Sequence, residues 1–185
     1  MPGICEPAYH CKSRANFFKK QFMHNSTLNI LVLGLGNMLL SDEGVGIKAL
    51  EELQRRYDCS GNVEIVDGGT IGLELLPYFE GRSHILIIDA VKTGKKPGTI
   101  VKIEDPPAYF RTRTSPHQIG LADVMGVAAI TDILPRDITL FGIEPKQIST
   151  GLDLSTEVAQ NVSRLVDMVA AELEAIGAKV QSKAK

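Results

Sequence analysis

At 185 residues the chain is long enough for one domain that buries on the order of 70% of its unfolded surface, so neither disulfide nor structural metal is needed to hold it. A hydrophobic share of 44% with 23% charged residues fits a globular protein; no run of ~18 apolar residues could span a membrane, and the start lacks the ~7–15-residue apolar core of a secretory signal. The formal charge of −2 hides an asymmetry: Lys12, Arg14, Lys19 and Lys20 against Glu6 give residues 1–27 a net +3, leaving −5 for the remainder, the reverse of a nucleic-acid-binding face.

Residues 1–27 show no sustained apolar period and are expected to be a flexible extension, with Met23 a candidate native start. Cys5, Cys11 and Cys59 have no metal-cluster spacing and suit free thiols in a reducing compartment; Cys5, His10 and Cys11 lack a nearby fourth ligand. The chain then turns apolar at Ile30-Leu31-Val32-Leu33, a run suited to a parallel strand buried on both faces. Gly34 and Gly36 punctuate it, and Asp42 and Glu43 follow before Val45, Ile47, Leu50, Leu53 and Tyr57 recur at helical spacing over 44–57. Acids at a helix start serve as caps and complement its dipole, which is the plainer reading of either one alone. The glycines give only the first half of a dinucleotide fingerprint: its third position is Leu39, and two carboxylates stand where a pyrophosphate would sit. A dinucleotide-binding oxidoreductase is therefore the runner-up.

Asp58-Cys59-Ser60-Gly61 reads as a turn, and Val63–Val66 as a second strand ending in Asp67-Gly68-Gly69-Thr70. A short helix from Leu73 should be bounded or kinked by Pro77. Ile85–Ile88 and Thr99–Ile103 are further strands, and the short link between them suggests a hairpin. Residues 104–116 form a loop rich in proline and arginine, after which Ser115, Pro116 and Gln118 supply start chemistry for a helix with His117 in its first turn. Ile138–Ile143 is a fifth strand, Ser155 caps a last helix that Gly177 ends, and residues 179–185 are expected to fray. The alternation predicts an α/β domain over 28–178: a three-layer, twisted, five-stranded, mostly parallel (mixed) sheet with helices on both faces.

Strand ends in such a sheet collect ligands, and here they carry Glu43, Asp67, Asp89 and Glu144. A single acid after a strand is commonly a turn former, and His117 alone is more simply a residue of the capping region. Together Glu43, Asp89 and His117 offer two oxygen donors and one nitrogen donor, a set that suits Ni²⁺ or Zn²⁺. No G-x-S-x-G or H-E-x-x-H motif is present, and outside residues 1–27 the histidines are His84 and His117.

The segments LVLGLGNMLLSDEGVG at 31–46, VDGGT at 66–70, IIDA at 87–90 and SPHQIGLADV at 115–124 resemble, in order, those of the nickel–iron hydrogenase maturation endopeptidases. The resemblance implies an endopeptidase, aspartyl-type or metal-linked, that trims the C-terminal extension of a hydrogenase large subunit precursor after nickel insertion. By similarity Glu43, Asp89 and His117 fall on the nickel-contacting positions and Asp67 on a further acidic position implicated in activity. It further implies that nickel belongs to the substrate and acts as the recognition signal, with zinc or cadmium as surrogates. The protein would be a cytoplasmic monomer without nucleic-acid or membrane partners. A non-catalytic nickel chaperone is the other alternative.

Overall fold

Ile30 to Leu33 are wholly buried, Ile30 and Val32 facing one core and Leu31 and Leu33 the other, so this strand is apolar throughout because both of its faces are covered. In the computed structural model, which describes residues 28–70, 72–104, 106, 120–135 and 137–183, it is β1 (Ile30–Leu35). A 3₁₀ turn over Ser41–Gly44 leads into α1 (Val45–Arg56), which is followed by β2 (Tyr57–Ser60) and β3 (Val63–Gly69). A 3₁₀ turn at Leu73–Leu75 runs into α2 (Leu76–Phe79), where Pro77 sits within the first turn and costs no hydrogen bond. Then come β4 (His84–Ala90), β5 (Ile100–Ile103), α3 (Leu121–Ile130), β6 (Asp137–Ile143), α4 (Thr156–Ile176) and β7 (Lys179–Ser182).

The main sheet has the order β3-β1-β4-β6-β5, with β5 antiparallel to β6 and the other pairs parallel. α1 and α4 cover one face through Val45, Leu50, Leu53, Val158, Leu165 and Val169; α2 and α3 cover the other through Phe79, Val124, Met125 and Ala128. The mixed five-stranded, three-layer architecture read from the sequence is therefore the one observed. None of the described helices is long and apolar enough to cross a membrane.

Four local expectations need correction. The link after β4 makes no hairpin, because β5 passes β6 and pairs with its far side, Ile100 opposite Ile143. The segment read as a turn at 58–61 is largely strand: β2 pairs antiparallel with β7, Tyr57 opposite Ser182 and Cys59 opposite Val180, so the end expected to fray is held to residue 182. Tyr57, Cys59 and Val180 pack on the α1/α4 core, which supplies the burial that so short a pair needs. The helix expected to open at Ser115 opens at Leu121, where the Asp123 carboxylate accepts from the Gly120 amide at 2.9 Å and Asp123 donates back to the Gly120 carbonyl at 3.0 Å. Ser155 does occupy the N-cap position of α4, but its hydroxyl donates to Asp42 instead of accepting from its own helix. The proposed extension 1–27, most of the loop at 104–116, and His117 lie outside the described residues.

Candidate functional site

The parallel strands β3, β1, β4 and β6 all end on one edge, and the acids expected there are sorted by what they already bond. Glu144, just past β6 and buried, accepts from the Thr93 amide and hydroxyl at 2.6 Å each, from the Gly94 amide at 3.2 Å and from the Lys95 amide at 3.3 Å. Its burial opposes ionisation, yet these bonds outweigh that and hold the carboxyl below its usual range. Glu144 is thus the pin of the loop after β4, with three of these bonds on Oε2 and one on Oε1.

Asp42 is the second pin. It is fully buried and accepts from the amides of Lys146 (2.9 Å), Gln147 (3.0 Å) and Ser155 (2.6 Å) and from the Ser155 hydroxyl (2.9 Å). Burial again works against the charge, and the bonds from Gln147, Ser155 and Lys146 win, keeping the carboxyl below the ordinary carboxylate range. The acid that the sequence placed as a cap for α1 therefore secures the start of α4 and the loop before it.

Glu43 and Asp89 are the acids left open. The half-buried Glu43 makes no side-chain hydrogen bond or ion pair among the described residues, and the turn that carries it packs against β4. Asp89, next to last in β4, accepts from the Ala90 amide at 2.7 Å. Burial pushes its carboxyl up to about 7; the Ala90 bond opposes the rise and the Glu43 charge adds to it. Two neighbouring carboxylates with unused lone pairs, one charge felt by the other, are oxygen donors of the kind that could hold a hard cation. Among the described residues no group of three potential ligands assembles, and His117 lies outside them.

Glycines bring Glu43 to this position. Gly36 has φ +130°, and a Cβ there would stand 1.7 Å from the Glu43 carbonyl oxygen; a Cβ on Gly46 would stand 2.2 Å from the Leu35 carbonyl oxygen and 2.4 Å from that of Ile88. The start of α1 is thereby pressed main chain to main chain onto the ends of β1 and β4. Gly36→Ala is expected to cost about 3 kcal/mol through strain and overlap. Urea denaturation checks this: an unchanged midpoint would mean that the turn can move away.

Asp67 lies on the same edge but elsewhere. It pairs in register with Gly34 on the outer strand β3, is exposed, and accepts from the Gly69 amide at 2.9 Å through Oδ1. β1 stands between it and Asp89's strand, so two inter-strand spacings, roughly 10 Å, separate them. His84 belongs to the opposite edge, at the start of β4, with Nε2 3.7 Å from Asp137 and Nδ1 3.0 Å from the Ser83 hydroxyl. Sequence reading missed the loop 145–155, which Asp42 holds beside the Glu43 turn; its uncharged, aperiodic Ile148 and Leu152 were the available signal.

A family model described as hydrogenase maturation protease matches residues 47–172. The chain is 40% identical over 153 residues to the hydrogenase 2 maturation protease of Escherichia coli strain K12, covering 81% of this chain and 93% of that protein. Among solved structures it is similar to the hydrogenase maturating endopeptidase HybD from E. coli, with a TM-score of 0.76 and 39% identity over 84% of this chain and 98% of that one. It is also similar to the NiFe hydrogenase maturation protease HybD from Thermococcus kodakarensis, with a TM-score of 0.64 and 29% identity over 78% and 99% of the two chains.

Proposed function

Because the chain belongs to the hydrogenase maturation protease family, we propose that it removes the C-terminal extension of a nickel–iron hydrogenase large subunit precursor, reading the nickel carried by that precursor through Glu43, Asp89 and His117. The observation that supports this reading is the open pair Glu43 and Asp89, at a strand-end edge where the buried acids Asp42 and Glu144 are each held by several loop donors. An enzyme that tests whether its substrate holds a metal needs an incomplete shell of its own, so that binding depends on the partner's ion. Zinc or cadmium would occupy the same donors as surrogates. In this reading the protein works in the cytoplasm as a monomer.

Asp67 is the proposed general base. Its Oδ2 makes no bond among the described residues and would take a proton from the water that adds to the scissile carbonyl, the proton passing on to the departing amine. The roughly 10 Å between the strands of Asp67 and Asp89 suits a metal that positions the substrate better than one that polarises the bond being cut.

Purified protein incubated with nickel-loaded precursor should shorten it, as read on a denaturing gel. Asp67→Asn should fold and bind the precursor yet process it on the order of 100-fold more slowly. Processing by that variant at the wild-type rate would remove Asp67 from the chemistry, and an uncut precursor with the wild-type protein would overturn the function itself.

A further inference from the structure

Beside the Glu43 turn the surface is uncharged and carries three exposed large apolar side chains, on backbone held by hydrogen bonds. Leu39 is 63% exposed, Leu152 62% and Ile148 41%, and no residue over 147–152 or 34–41 carries a charge. These side chains come from two segments tied together by their backbones: the Gly151 amide donates to the Leu39 carbonyl at 2.9 Å, the Ser41 amide to the Gly151 carbonyl at 2.8 Å, and the Ser41 hydroxyl to the Ser149 carbonyl at 3.0 Å. Asp42, the residue next to Glu43, grips both ends of the loop from within the protein. A buried charge is a costly way to hold a loop, and its effect is to keep large apolar side chains in water in one fixed arrangement.

We propose that Leu39, Ile148 and Leu152 are the docking surface for an uncharged, apolar stretch of the substrate polypeptide, lying beside the part that reaches Glu43 and Asp89. This rests on the protease reading above. The occupant follows from continuity and charge: the surface and the open carboxylate pair belong to one clamped unit, so a chain held at the pair must run past the leucines. The pair's negative charge disfavours an acidic segment there, and along the uncharged stretches 34–41 and 147–152, the second bounded by Lys146 and Asp153, the exposed side chains suit a segment that is itself uncharged and apolar. Preorganisation lowers the cost of ordering the bound chain, so the leucines contribute to binding and leave the chemical step alone.

The test uses the full chain and nickel-loaded large subunit precursor immobilised on a biosensor. Leu39→Glu and Leu152→Glu, both at exposed positions, should each weaken precursor binding about tenfold or more, with KM for processing rising in step and kcat unchanged. Circular dichroism should show the wild-type melt, and Leu152→Ser, which adds no charge, serves if a glutamate variant does not fold. Affinity unchanged in the variants, with the wild type binding and cutting, overturns the docking surface while leaving the proposed function standing. A wild-type protein that neither binds nor cuts the precursor overturns both. A wild type that self-associates in sedimentation, with monomeric variants that keep full precursor affinity, would assign the ridge to a second copy of this chain.

Discussion

Asp42→Asn is expected to lower the thermal midpoint by about 10 °C and to release the loop 145–155, although Asp42 touches no substrate. The carboxylate holds three amides and one hydroxyl in a place that water does not reach. Asparagine keeps one acceptor oxygen and turns the other into a donor facing donors. Charge-assisted bonds contribute about 1.5–3 kcal/mol each and do not add fully, so a loss near 4 kcal/mol is reasonable. In a domain of this size that corresponds to roughly 8–16 °C. Since the folded carboxyl titrates below its ordinary 3.8, its contribution is present above that pH and lost as the pH falls through the folded value. The acid limb of the wild-type stability curve should therefore be steeper than that of the variant. Hydrogen exchange should accelerate at the Lys146, Gln147 and Ser155 amides; unchanged exchange there would mean that the loop is held by something else.

Asp89→Asn should have the opposite effect on stability and abolish processing. The Asp89 carboxyl ionises at about 7 in the folded protein against 3.8 in the reference state, so the fold is penalised at pH 8. The displacement corresponds to about 4 kcal/mol at most, and water at the half-buried edge reduces it to roughly 2 kcal/mol. Asparagine can still accept from the Ala90 amide while relieving both the burial of a charge and its repulsion by Glu43. At pH 8 the variant should melt several degrees higher than wild type, and the gap should narrow as the pH falls from 8 towards 5, where the wild-type carboxyl takes up a proton. Processing of nickel-loaded precursor should fall below detection, because a neutral amide is a poor ligand for a hard cation. A variant that melts below wild type at pH 8 and still cuts would remove Asp89 from the site. The pairing of higher stability with lost function is what an unsatisfied binding site produces.

The architecture was legible where burial writes directly into composition. β1 and β4 sit between other strands and helices, so nearly every residue is apolar and the strands are read at sight. β2 and β7 were not legible, since four-residue strands with one covered face alternate too briefly to stand out from a turn. The partner of β5 was hidden too, because loop length between β4 and β5 carries no information about β6 passing between them. At the site, the gathering of acids on one edge could be read from strand ends, but their division into pins and open groups could not. The amides that saturate Asp42 belong to residues 104 to 113 positions away, and a backbone donor has no side-chain signature. His117, named from its place at a helix start and again by similarity, lies outside the described residues.

The reading centres on nickel as the signal that licenses cutting, with Glu43 and Asp89 waiting for an ion that the substrate brings. Its most direct test is intact-mass spectrometry of large subunit precursor incubated with this protein, the precursor being prepared in nickel-loaded and nickel-free forms. The account predicts loss of the C-terminal peptide from the nickel-loaded form alone, with nickel-free precursor unchanged in mass even when Asp67 and the rest of the enzyme are intact. Equal shortening of the two forms would contradict it, as would a nickel-loaded precursor that binds and leaves at full length.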